Sequence, residues 1–109
     1  MRILLLHLDP ARRDELAASL TDEGHAVTAV SEANPVTEPV DVFVVCPEAE
    51  PQLALDLAAK IGADARLAAV SILFAGGTQA ALTEAQRRFP RASFARLDAL
   101  STALASMDA

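Results

Sequence analysis

Apolar residues in this chain fall into short unbroken runs, separated by stretches where they recur every three or four positions. The runs read as strands buried on both faces, and the spaced stretches as amphipathic helices. The run Ile3-Leu4-Leu5-Leu6 gives a first strand over residues 2–6. Asp9 can then cap a helix that has Pro10 at its first position, where a missing N–H costs nothing. That helix is predicted over 10–23 and stops at Gly24, a good left-handed cap. Leu16, Ala17 and Leu20 form its stripe, while Arg12, Arg13, Asp14 and Glu15 face outward or lie at the rim. A second strand follows over 25–30. Pro35 and Pro39 interrupt the next segment, so a second helix over 31–39 is expected to be short or absent. A third strand is predicted over 40–45. Pro51 opens a helix to about residue 61, ending at Gly62, with Leu53, Leu57 and Ile61 inward and Ala54 and Ala58 supporting them. A fourth strand over 69–74 leads through Gly76-Gly77-Thr78 into a helix to about Arg88. Its inner residues are Leu82, Ala85 and Phe89, and Pro90 marks the stop. A short strand over 92–95 precedes a last helix over 98–106, with Leu100, Ala103, Leu104 and Met107 inward.

Strands alternating with helices imply a parallel sheet covered on both faces. The expected fold is α/β, a flavodoxin-like doubly wound sheet of five strands in the order 2-1-3-4-5, in a single domain over 1–109. Ligands of such sheets sit at the carboxyl ends of strands one and three, where the strand order reverses. His7, Leu8, Asp9, Cys46, Pro47 and Glu48 gather there.

Composition narrows the function. A 109-residue chain can bury roughly two thirds of its unfolded surface, enough for a core without staples. Alanine supplies 24 residues, which points to close helix–sheet contacts rather than bulky packing. The net charge is −6, Tyr and Trp are absent, and Lys and Arg are scattered. A direct nucleic-acid partner is therefore not expected, because phosphate binding needs clustered cations. The single cysteine excludes an internal disulfide and a multi-cysteine zinc site. No apolar run approaches the ~20 residues of a membrane span, and the start lacks a signal-peptide pattern, so a cytoplasmic location is expected.

Candidate chemistry is sparse. Cys46 and His7 would end adjacent strands, a pairing that can activate a thiol as nucleophile or redox sensor. The plainer alternative is a small buried residue beside a polar strand-end histidine. With Asp9 or Glu48 the same pair offers donors for a transition metal, although the spacing matches no zinc pattern. Gly76-Gly77-Thr78 is either an anion cradle or a flexible lead-in with Thr78 as cap. Arg87, Arg88 and Arg91 are either a solvated helix end or a docking contact for an acidic partner.

The opening Ile3-Leu4-Leu5-Leu6-His7-Leu8-Asp9-Pro10-Ala11-Arg12-Arg13 and the turn Gly24-His25-Ala26-Val27 resemble the receiver domain of two-component response regulators. The resemblance spans nearly the whole chain. In that family two acids after strand one hold magnesium; here His7 and Leu8 stand there, and Leu8 cannot ligate a hard cation. The phosphoacceptor aspartate corresponds to Cys46, the switch Ser or Thr to Phe74, and the strand-five lysine to Leu97, or to Arg96 with a one-residue shift. Phe94 takes the aromatic switch position. The resemblance thus implies a degenerate, non-phosphorylatable pseudo-receiver without catalytic residues, metal or cofactor. Such a domain is expected to act as a protein-interaction module in bacterial two-component-type signalling. Its partner would be another signalling protein or an output domain, with a homodimer as a further option and no membrane. The expected contact face is the helix after strand four, strand five and the last helix, with Gln79, Glu84, Arg87, Arg88 and Arg96 exposed and Phe94 partly exposed. The alternatives are an atypical phosphoreceiver and a Cys46-based thiol sensor. The ring of Phe74 is expected to fill space in or beside the vacated phosphate pocket.

Overall fold

A computed structural model describes residues 1–32, 39–67 and 69–108. Five strands form one parallel sheet in the order β2-β1-β3-β4-β5. They are β1 (Arg2–His7), β2 (Ala26–Val30), β3 (Val42–Cys46), β4 (Ser71–Ala75) and β5 (Ser93–Ala95). The helices are α1 (Pro10–Asp22), α2 (Pro51–Gly62), α3 (Gln79–Arg88) and α4 (Leu100–Asp108). The expected order and the doubly wound architecture are both present. The expectation of a short or absent helix over 31–39 concerns residues 33–38, which lie outside those described.

The sheet is dry on both faces. Leu4, Leu6, Phe43, Val45 and Phe74 are buried against Leu55, Ala58 and Ile61 of α2 and Ala85 of α3. Ile3, Leu5, Val42, Val44 and Leu73 are buried against Leu20 of α1 and Leu100 and Leu104 of α4. Strand positions alternate between these cores, as the two-residue period of a strand requires.

Punctuation residues act as read. Asp9 Oδ1 accepts the N–H groups of Ala11 at 3.0 Å and Arg12 at 3.4 Å, and Pro10 opens α1. Gly24 follows the C-cap at φ +95°. Thr78 Oγ1 accepts the Ala81 N–H at 3.2 Å and caps α3.

Several boundaries differ from expectation. β3 begins at Val42 because Asp41 instead clamps Arg2, accepting its backbone N–H at 2.7 Å and its guanidinium at 3.1 Å. β4 begins at Ser71 because a short 3₁₀ turn, Ala65–Leu67, precedes it and Val70 N–H donates to the Leu67 carbonyl. Likewise Leu97–Ala99 forms a 3₁₀ turn before α4. The stripe of α2 is rotated: Ala54, Leu55, Ala58 and Ile61 are buried, while Leu53 is 46% exposed. In α3, Ala81 joins Ala85 in the core and Leu82 is only half-buried. In both helices alanines are among the buried positions, where a small side chain takes little room.

Candidate crevice at the strand ends

The carboxyl ends of β1 and β3 meet in register, with His7 opposite Cys46. Alternation puts both on the face covered by α1 and α4. His7 is 1% exposed, the buried polar side chain among the described residues. Its Nδ1 accepts the Asp9 backbone N–H at 3.1 Å, and its Nε2 lies 3.1 Å from Glu48 Oε2. The first bond requires a bare Nδ1, so the ring carries its proton on Nε2 and donates it to the carboxylate. Both ring nitrogens are thus committed, and neither is turned to Cys46.

Glu48 collects further contacts. Arg12 Nη2 lies 3.6 Å from Glu48 Oε2, and Arg13 Nη1 donates to the His7 carbonyl oxygen at 3.3 Å. The sequence pattern placed both arginines on the outer or rim side of α1. Position in the first turn after the Asp9 cap was the available signal, since that turn rises directly from the strand end.

The Gly76-Gly77 pair follows from the same geometry. Both residues have left-handed backbones, with φ of +78° and +96°. A Cβ on Gly76 would lie 3.3 Å from the Glu48 side chain, and one on Gly77 would lie 3.0 Å from Pro47. The glycines let the loop after β4 pass close to the loop after β3. Gly76 N–H donates to the Ala95 carbonyl, so it is not aimed at an anion. Beside them lies a shallow open depression lined by Glu48, Gly76, Gly77, Arg96, Leu97 and Asp98.

Cys46 is fully buried. Burial first, and the charge of Glu48 second, push its thiol up to about 12, with Arg12 pulling weakly the other way. A thiol in that state is a packing group rather than a nucleophile.

Magnesium does not fit these residues. It needs oxygen ligands in near-octahedral array. His7 has spent both nitrogens, Leu8 packs into the core on the α2–α3 side, and Cys46 holds its proton. Among the described residues no group of three or more His, Cys, Asp or Glu side chains is placed to hold a metal ion.

Phe74 is not beside this crevice. It is fully buried on the opposite face, 5.2 Å from the ring of Phe89 and stacked 5.4 Å from that of Phe94. Ala75, one residue on, shares the core of Cys46. The expected filling of a vacated pocket by Phe74 is therefore corrected: strand alternation sends its ring under α3. Leu97 is half-buried against the α1–α4 core at the rim of the depression.

The expected contact face is partly committed to internal pairs. Gln79 is exposed. Arg87 Nε donates to Glu84 at 3.1 Å, an arrangement that lowers the Glu84 carboxyl below its ordinary range. Arg88 instead reaches Asp56 of α2 at 2.9 Å, away from β5. Arg96 pairs with Asp98 at 3.1 Å and stays 85% exposed. Phe94 is half-buried beneath its stack on Phe74. Exposed pairs of this kind contribute little to stability.

No helix among the described residues is long and apolar enough to cross a membrane. No protein-family model and no curated protein matches the sequence. Solved structures do match. The Vibrio cholerae chemotaxis protein CheY4 superposes with a TM-score of 0.77 at 11% identity over 97% of each chain. NtrX from Brucella abortus, solved in complex with ATP, gives 0.73 at 18% identity over 97% of this chain and 26% of its own. The regulatory domain of the repressor of iron transport regulator RitR, in its inactive form, gives 0.66 at 20% identity over 96% of this chain and 95% of its own. At these identities the likeness establishes the fold, which is the flavodoxin-like fold of response-regulator receiver domains.

Proposed function

We propose that this chain is a pseudo-receiver: a receiver-fold domain that takes up no phosphoryl group and serves as a protein-interaction module in bacterial two-component-type signalling. The observation that carries the reading is the state of the crevice. A buried thiol with its proton held stands at the end of β3, and the nearby carboxylate of Glu48 is tied to His7 and Arg12. Phosphotransfer needs an accessible carboxylate and a bound cation that offsets the charge of the incoming group. The same burial of Cys46 speaks against a thiol sensor.

Recognition then falls to the surface of α3, β5 and the turn into α4. Arg87, Arg91 and Arg96 are exposed cations there, and arginine is a residue type that anchors interfaces. The partner on this reading is another signalling protein or an output domain. Affinity capture from the native cell tests it. Arg87→Glu is expected to abolish capture of a partner that wild type retains, and Cys46→Ser to leave it intact. Loss with Cys46→Ser and none with Arg87→Glu would make the crevice the active surface and refute the reading.

A further inference from the structure

Glu48 stands where three loops meet. It belongs to the loop after β3, receives the His7 Nε2–H at the end of β1, and lies against Gly76 after β4. Arg12 of α1 adds a cation 3.6 Å away. The charges of Glu48 and Arg12 both reach Cys46, on whose thiol they act in opposite senses. Across the shallow depression Arg96 and Asp98 are paired with each other. His7 is 1% exposed, so displacing Glu48 would leave a buried N–H without an acceptor.

We propose that the crevice is a site for a small carboxylate, kept filled by the chain's own Glu48. The side chain acts as an internal clamp that holds the loops after β1, β3 and β4 in one arrangement. His7 Nε2–H is the donor and the Arg12 guanidinium the nearby cation, and an external carboxylate gains access only when Glu48 is removed. This deepens the pseudo-receiver reading and rests on it, since a crevice closed by its own anion leaves no place for an incoming one. Failure of the clamp would leave the α3–β5 contact face untouched, so the two ideas fail separately.

The test is an amide NMR titration with sodium acetate, using sodium chloride at equal ionic strength as control, on wild type, Glu48→Ala and Glu48→Gln. In Glu48→Ala the amides of Asp9, Gly76 and Gly77 are expected to shift. Millimolar acetate should return them toward their wild-type positions with saturation, while chloride does not. Wild type should show no saturable response. Glu48→Gln keeps an oxygen acceptor for His7 and should stay close to wild type without taking up acetate. Wild-type-like amides in Glu48→Ala, or acetate shifts equal in wild type and variant, overturn the proposal; the latter would mean an adventitious ion only. Should Glu48→Ala fold poorly, its urea midpoint should rise with acetate and not with chloride, and an acetate-independent midpoint overturns the proposal as well.

Discussion

Phe74→Ala is expected to destabilise the domain by about 3–5 kcal/mol, the range for deleting a fully buried phenylalanine. The ring has no exposure and sits between Phe89 and Phe94, with Leu6, Phe43 and Leu55 in the same core. Its loss removes transfer free energy, opens a cavity and breaks two aromatic contacts, each worth about 0.5–1.5 kcal/mol. Collapse around the gap is restricted because β4 is held on both sides by β3 and β5. Domains of this size have roughly 5–15 kcal/mol of stability, so the variant would lose a large part of it. Urea denaturation of wild type, Phe74→Ala and Phe74→Leu measures the effect, with Phe74→Leu expected to lose much less. A Phe74→Ala change under about 1 kcal/mol would mean that the ring is not packed as described.

Stability should also fall in base because of Cys46. Its thiol is raised from 9.0 to about 12 in the folded state. The unfolded chain therefore loses the proton first. Below about pH 9 both states keep it and Cys46 adds no pH dependence. From there up to about 12 the folded state binds more protons than the unfolded state, and stability falls by about 1.4 kcal/mol per pH unit. The full effect is on the order of 4 kcal/mol, of which about half should be lost by pH 10.5. The difference between wild type and Cys46→Ala isolates it, since the cavity left by the alanine costs the same at every pH. That difference should narrow steadily above pH 9 in urea denaturation. A constant difference, or fast alkylation of the native thiol at pH 9, would show that Cys46 is accessible.

Much of the architecture was legible because it rests on local signals. Unbroken apolar runs marked the buried strands, Asp9-Pro10 and Gly24 marked the limits of α1, and short alternating elements left the doubly wound sheet as the natural solution. The facing of individual residues was less legible for a physical reason. A strand covered on both faces has no polar alternation, so nothing in Ile72-Leu73-Phe74-Ala75 says which side the ring of Phe74 takes. Helices rich in alanine have the related ambiguity. Leu53 and Leu57 look like the inner stripe of α2, but Ala54, Leu55 and Ala58 are the fully buried positions and Leu53 is turned outward.

The crevice divided in the same way. The pairing of strand ends that brings His7 beside Cys46 followed from the strand order. The union of His7 with Glu48 did not, because it depends on the path of the loop after β3, which turns through a left-handed Glu50 at φ +46°. A non-glycine residue in that conformation is rare, and no periodicity announces it. Arg12 was marked only by its place in the first turn of α1, as its reach over the crevice depends on where that turn leaves the sheet.

Beryllofluoride tests most directly the proposed inability of the crevice to accept a phosphoryl group, because it mimics an acyl phosphate without requiring turnover. Amide NMR spectra of the wild-type domain should be unchanged when beryllofluoride and magnesium are added together, and acetyl phosphate with magnesium should leave the intact mass unaltered. Stoichiometric, saturable shifts around His7 and Cys46 would contradict the account.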